Sequence, residues 1–188
     1  MRPPAFFGPT VLRLILISEF KVCFGIIGCV PITPTKVPLD IRDLVPVFSK
    51  EPVILLNAQK VNEITPILYQ ERDASGQLRN LSPEETNFYE WTSQAIILVR
   101  QWLNQYKVPI SGNSQKTLKL HISNAKIENC GLQCTILTLN VETADGIKRS
   151  FSVDMCAGGL NRSAGYSINL AVVELIRDSD ILSYLGDR

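Results

Sequence analysis

The chain has 188 residues, 45% hydrophobic and 20% charged, with a formal net charge of +1 at pH 7. That suffices for one globular domain with a sizeable core. Arg2, Arg13, Lys21 and Glu19 all precede Cys29, so the chain from Cys29 onward carries 16 basic and 17 acidic residues. No basic block remains to track phosphates, which argues against nucleic acid as a partner. One histidine and scattered cysteines argue against a metal site, and nothing in the composition calls for a cofactor.

The chain opens on a leader. A secretory signal combines a positive n-region, about 7–15 apolar residues and small residues at the cut. Arg2 and Arg13 supply the charge, residues 14–28 the apolar length, and Gly28 the small residue. Glu19 and Lys21 interrupt the run, leaving residues 14–18 and 22–28, and charges there are costly to insert. The run closes on Ile26-Ile27-Gly28-Cys29, which resembles the lipobox of bacterial lipoproteins. That resemblance implies a signal peptide over residues 1–28, cleavage between Gly28 and Cys29, and acylation (palmitate among the chains) at Cys29. Val30, rather than an acidic residue, follows the cysteine, which in such lipoproteins implies the periplasmic face of the outer membrane.

Residues 29–50 read as a tether. Pro31, Pro34, Pro38 and Pro46 recur there without a helical period. Proline favours extended polyproline II, so this stretch is a semi-rigid spacer or, alternatively, an irregular strand lying on the domain. The domain itself occupies residues 51–188.

Within it, Val53-Ile54-Leu55-Leu56 is a short apolar run that predicts a buried strand. Residues 64–69 add an edge strand, demoted by Pro66, and Ser75-Gly76 marks a turn. Ser82-Pro83-Glu84-Glu85 combines an N-cap serine, a proline at N1 and a glutamate at N3, the pattern of a capping box. Phe88, Trp91, Ala95, Leu98, Val99, Trp102 and Tyr106 then fall at helical spacing and predict one apolar stripe ending near Lys107. So regular a stripe points to core packing.

Three strands of period two follow. Leu118, Leu120 and Ile122 alternate inward, and the phase slips near Ser123-Asn124 to Ala125 and Ile127, predicting a bulge. Leu137, Leu139 and Val141 mark the second strand; Ile147, Phe151, Val153 and Met155 mark the third. A three-residue loop Ala144-Asp145-Gly146, with Gly146 left-handed, keeps the faces consistent and sets Cys134 opposite Cys156. A three-residue loop Gly131-Leu132-Gln133 instead sets Cys130 opposite Cys134. Cys134 therefore has two candidate disulfide partners, with Cys130 preferred because both cysteines flank one turn.

Residues 157–165 are glycine-rich but lack the lysine of a P-loop and the dinucleotide spacing, and read as a flexible connection. A buried helix follows over residues 166–177, and Asp178 caps a last short turn. The expected fold is α+β: an antiparallel sheet, made of a three-stranded meander and an earlier strand, with the long amphipathic helix and the C-terminal helix on one face. Leader, lipobox, proline-bearing tether and this element order together resemble the YajG-like group of small bacterial lipoproteins. The resemblance covers nearly the whole chain and transfers no catalytic residues.

No paired carboxylates, metal cluster or activated nucleophile is visible, and His121 alternates onto the polar face, so the chain is not expected to be an enzyme. The expected function is a membrane-anchored lipoprotein whose periplasmic domain is a protein-interaction module in a cell-envelope or secretion assembly. The uncovered sheet face with Lys119, His121, Ile136, Thr138, Asn140 and Ser152 is a candidate surface, as are the edge strands. The alternative is a lipoprotein that binds a small molecule or lipid between helix and sheet.

Overall fold

The computed structural model describes residues 33–36, 51–73, 75–129 and 131–186. The signal peptide, the Gly28/Cys29 cleavage site, acylation at Cys29, most of the tether and Cys130 lie outside the described residues. In chain order the elements are β1 (Val53–Asn57), β2 (Ile64–Arg72), β3 (Leu78–Asn80), β4 (Glu84–Asn87) and α1 (Phe88–Gln105). They continue with β5 (Lys116–Asn129), β6 (Gln133–Thr143), β7 (Lys148–Ala157), α2 (Leu160–Arg177) and α3 (Ser179–Leu185).

The sheet is mixed and has seven strands, with β3-β2-β5-β6-β7 as its main order. This corrects the expectation of an antiparallel sheet made of a meander and one earlier strand. The meander itself forms, with β6 antiparallel to β5 on one side and to β7 on the other. β1 and β2, however, both lie parallel to β5, against its first and last thirds respectively. A 14-residue strand is long enough to hold two short partners end to end along one edge. Parallel pairing needs a crossover, and α1 supplies it. Period-two alternation carries no information on strand direction, so the sequence leaves this feature unmarked.

Two local expectations change for related reasons. β2 is no edge: it sits between β3 and β5, and Pro66 is tolerated because it pairs with Glu85 of β4 before the strand joins β5 at Leu68. The capping box does not form, because Glu84–Asn87 is taken up as β4 against Ile64 to Ile67. The helix starts instead at Phe88, where the side chain of Asn87 accepts from the Tyr89 amide.

The core lies between the helices and one face of the sheet. Trp91, Ala95, Val99, Trp102 and Leu103 on α1 are fully buried, as are Leu118, Leu120 and Ile127 on β5. Leu137 and Leu139 of β6 and Ile168, Leu175 and Ile176 of α2 complete it. Ser123 is the extra residue of the predicted bulge, since Ile122 opposes Leu139 and Asn124 opposes Thr138. There the Ile122 amide donates to the buried hydroxyl of Thr92, 3.2 Å away on α1.

The β6–β7 turn has its expected form: Gly146 has φ +92° and its amide donates to the Thr143 carbonyl. It brings Cys134 opposite Cys156, and these two form the disulfide. Cys130 is not the partner. The β5–β6 loop spans residues 130–132 rather than 131–133, so Asn129 opposes Gln133 and Glu128 opposes Cys134. α2 also begins earlier than its apolar pattern suggests. Ser163 and Ser167 are buried, hydrogen-bonding the Thr135 hydroxyl (2.7 Å) and carbonyl (2.6 Å) on β6, and they hold the glycine-bearing stretch in the helix.

Candidate functional site

The helices cover one face of the sheet and leave the other open. Strand registers place Lys119, His121, Ile136, Thr138, Asn140 and Ser152 together on that open face, in rows running across β5, β6 and β7. The β6–β7 half of it is polar and internally paired. The Thr138 and Ser152 hydroxyls lie 2.9 Å apart, Ser150 donates to Asn140 Oδ1 at 2.6 Å, and Lys148 faces Glu142 at 3.6 Å. On β5 the ammonium of Lys126 contacts Glu128 at 2.6 Å. Polar groups that satisfy one another across strands bind a partner's polar groups only by giving up those bonds.

The other half of the face differs. Leu56, Ile64, Leu68 and Leu78 are 42–56% exposed, and Val61 in the β1–β2 connection is 57% exposed. Leu56 opposes Lys119 and Leu68 opposes Lys126, so both lie in rows of the open face. Leu78 opposes Arg72, two steps beyond Gln70 on the same side of β2. The residues named from sequence for this surface thus mark its polar part, and sequence reasoning misses its apolar part. The available signal is the alternation of Ile64, Pro66 and Leu68, outward-facing and apolar, which reads as a strand buried on both sides until its neighbours are known.

The β2–β3 hairpin at the margin of this patch is fixed by Asp73. Its carboxylate accepts from the Ser75 hydroxyl at 2.6 Å and from the Ser75 and Gln77 amides at 2.8 and 3.0 Å. The Ser75 hydroxyl, then the Gln77 amide, hold that carboxyl below its ordinary pKa by stabilising the charged form.

Cys134, Asp154 and Cys156 lie within 4.8 Å of one another. Both sulfurs are spent in the disulfide, so the trio offers one carboxylate and makes no metal centre. His121 lies on the open face opposite Asn140, on a different strand from either sulfur. Two open surface cavities are also present. One of about 310 Å³ is lined by Glu51, Lys116, Asp145 and Tyr184; the other, of about 340 Å³, by Asn129, Gln133 and the Gly158–Gly159 link that precedes α2. Neither lies between the helices and the sheet.

No protein-family model and no curated protein matches this chain. Among solved structures, the chain is similar to the crystal structure of protein XCC0632 from Xanthomonas campestris, assigned to the family DUF330. The TM-score is 0.51 at 12% identity, covering 78% of this chain and 92% of that one. A likeness at that identity concerns the fold alone. Among the described residues no helix is long and apolar enough to cross a membrane.

Proposed function

We propose that this chain is a small envelope lipoprotein of the YajG-like kind, cleaved before Cys29 and acylated there. Its domain, at the periplasmic face of the outer membrane, is a non-enzymatic protein-interaction module of an envelope or secretion assembly. The observation that carries the second part is the exposure of apolar Leu56, Leu68 and Leu78 along the β1, β2 and β3 side of the open sheet face, beside a paired, polar half. Burying these side chains against a partner yields about 25 cal/mol per Å² of apolar surface.

The ligand-binding alternative is disfavoured by the interior. Trp91 and Trp102 of α1, Leu120 of β5 and Leu139 of β6 are almost without exposure, and neither cavity described above opens between the helices and the sheet.

The test is native expression of the full chain beside a Cys29→Ser variant, each carrying a photo-crosslinking side chain at Leu68 or at Ser152. The expected result is acyl mass on a chain beginning at Cys29, lost in the variant, with one discrete crosslinked partner from position 68 and none from 152. An unprocessed chain refutes the anchor, and equal crosslinking from both positions refutes the surface.

A further inference from the structure

Gly165 sits inside α2, where glycine costs about 1 kcal/mol relative to alanine. The reason is a close approach. A Cβ at Gly165 would collide with the carbonyl oxygen of Thr35, well inside van der Waals contact. That oxygen accepts from Gln94 Nε2 of α1 at 3.2 Å, and the Thr35 amide donates to the Asn161 carbonyl of α2 at 2.7 Å. Gln94 is 9% exposed, and Pro34 beside Thr35 is buried. At this point the proline-bearing stretch is strapped into the groove between α1 and α2 instead of standing off the domain.

We propose that this strap fixes how the domain sits on its membrane: the helical face around Thr35 rests on anionic phospholipid headgroups, and the open sheet face points away from them. The proposal rests on acylation at Cys29. Six peptide units separate Cys29 from Thr35, which span at most about 21 Å. Measured instead to Glu51, the next described residue, the chain from Cys29 reaches at most roughly 75 Å. A domain of this size is about 37 Å across, so a leash of about 21 Å is too short to let it turn over.

The surface beside the strap suits headgroups. Lys36 and Arg162 are exposed cations flanking Thr35 and Asn161. Tyr166, 37% exposed, follows Gly165, and Ile97, 44% exposed, lies one turn beyond Gln94. Tyrosine at the headgroup level, an aliphatic side chain beneath it and basic groups reaching phosphates form the usual interfacial set.

The test uses the full acylated chain in vesicles of phosphatidylethanolamine and phosphatidylglycerol whose acyl chains are brominated. Trp91 and Trp102 are fully buried and give a constant background. A Tyr166→Trp chain is expected to be quenched roughly twofold more than a Ser152→Trp chain, because residue 166 lies at the interface. Adding Gly165→Ala, whose methyl displaces Thr35 while favouring the helix, brings position 166 down to the level of position 152. Gln94→Ala, which removes one of the strap's bonds and adds no atom, lowers it in the same direction. Equal quenching at both positions on a chain with verified acyl mass overturns this orientation alone. So does a difference that survives both strap variants. A chain lacking acyl mass overturns the lipoprotein reading, and the orientation with it.

Discussion

Reducing the Cys134–Cys156 bond, or replacing both cysteines by alanine, removes a cross-link between residues 22 apart in sequence. In the chain-entropy treatment, closing a loop of that length lowers the entropy of the unfolded state by about 11 cal/mol/K, which is about 3.4 kcal/mol at 25 °C. For a domain of about 140 residues, with an unfolding entropy near 0.29 kcal/mol/K, this lowers Tm by about 12 °C. The alternative pairing, Cys130 with Cys134, closes a loop of about four residues and is worth only about 1.9 kcal/mol. Urea unfolding with and without reductant therefore distinguishes the connectivities by magnitude. Peptide mapping does so directly. Trypsin cuts after Lys126, Lys148, Arg149 and Arg162, which leaves Cys130 and Cys134 in one peptide and Cys156 in another. The expected non-reduced digest contains the two peptides joined, and still joined in a Cys130→Ser chain. An unlinked 150–162 peptide, or a reductant effect near 1.9 kcal/mol, refutes the register on which the whole β6–β7 pairing rests.

Asn87→Ala is expected to cost about 1 kcal/mol by chemical denaturation, through loss of the helix cap, whereas Ser82→Ala changes stability by less than about 0.5 kcal/mol. The opposite ranking restores the capping box and removes β4. The Asp73 carboxyl, followed by NMR, titrates below an unfolded-chain aspartate, and Ser75→Ala moves its midpoint upward. Because its folded pKa is the lower one, the hairpin's contribution is present above the unfolded pKa and fades as pH falls through the folded value. An Asp73 midpoint equal to that of an unstructured aspartate removes the turn geometry.

The α1 stripe, the β5 bulge and the β6–β7 turn are legible in the sequence because each is a local pattern with a local cause. Seven residues at helical spacing need only one covered face, the Ser123 slip shows as a phase change, and Thr143 with Gly146 fixes its own loop. What sequence reasoning misses is non-local. Ser82 to Glu85 carries a sound capping signal, yet β2 competes for the residues just after Ser82, and Asn87 offers a second cap further along. The chain takes the later start, which pairs β4 with β2 and buries Thr86 opposite Thr65. Likewise, a two-residue shift in the β5–β6 register is invisible in alternation, and it decides which cysteine meets Cys134.

The candidate surface divides along the same line. Its polar residues lie on strands whose partners follow directly in sequence, so a meander places them on one face without further information. Its apolar residues lie on β1 and β2, which reach the sheet only by crossing over α1, and outward-facing Leu56 and Leu68 look like core until that crossover is known. The Thr35 strap is more remote still: it joins α2 to a residue far back in the chain, and its only trace in the sequence is a glycine in the middle of a helix. A helix that gives up stability at one glycine, where the first atoms a methyl would meet all belong to Thr35, is built around the chain that crosses it.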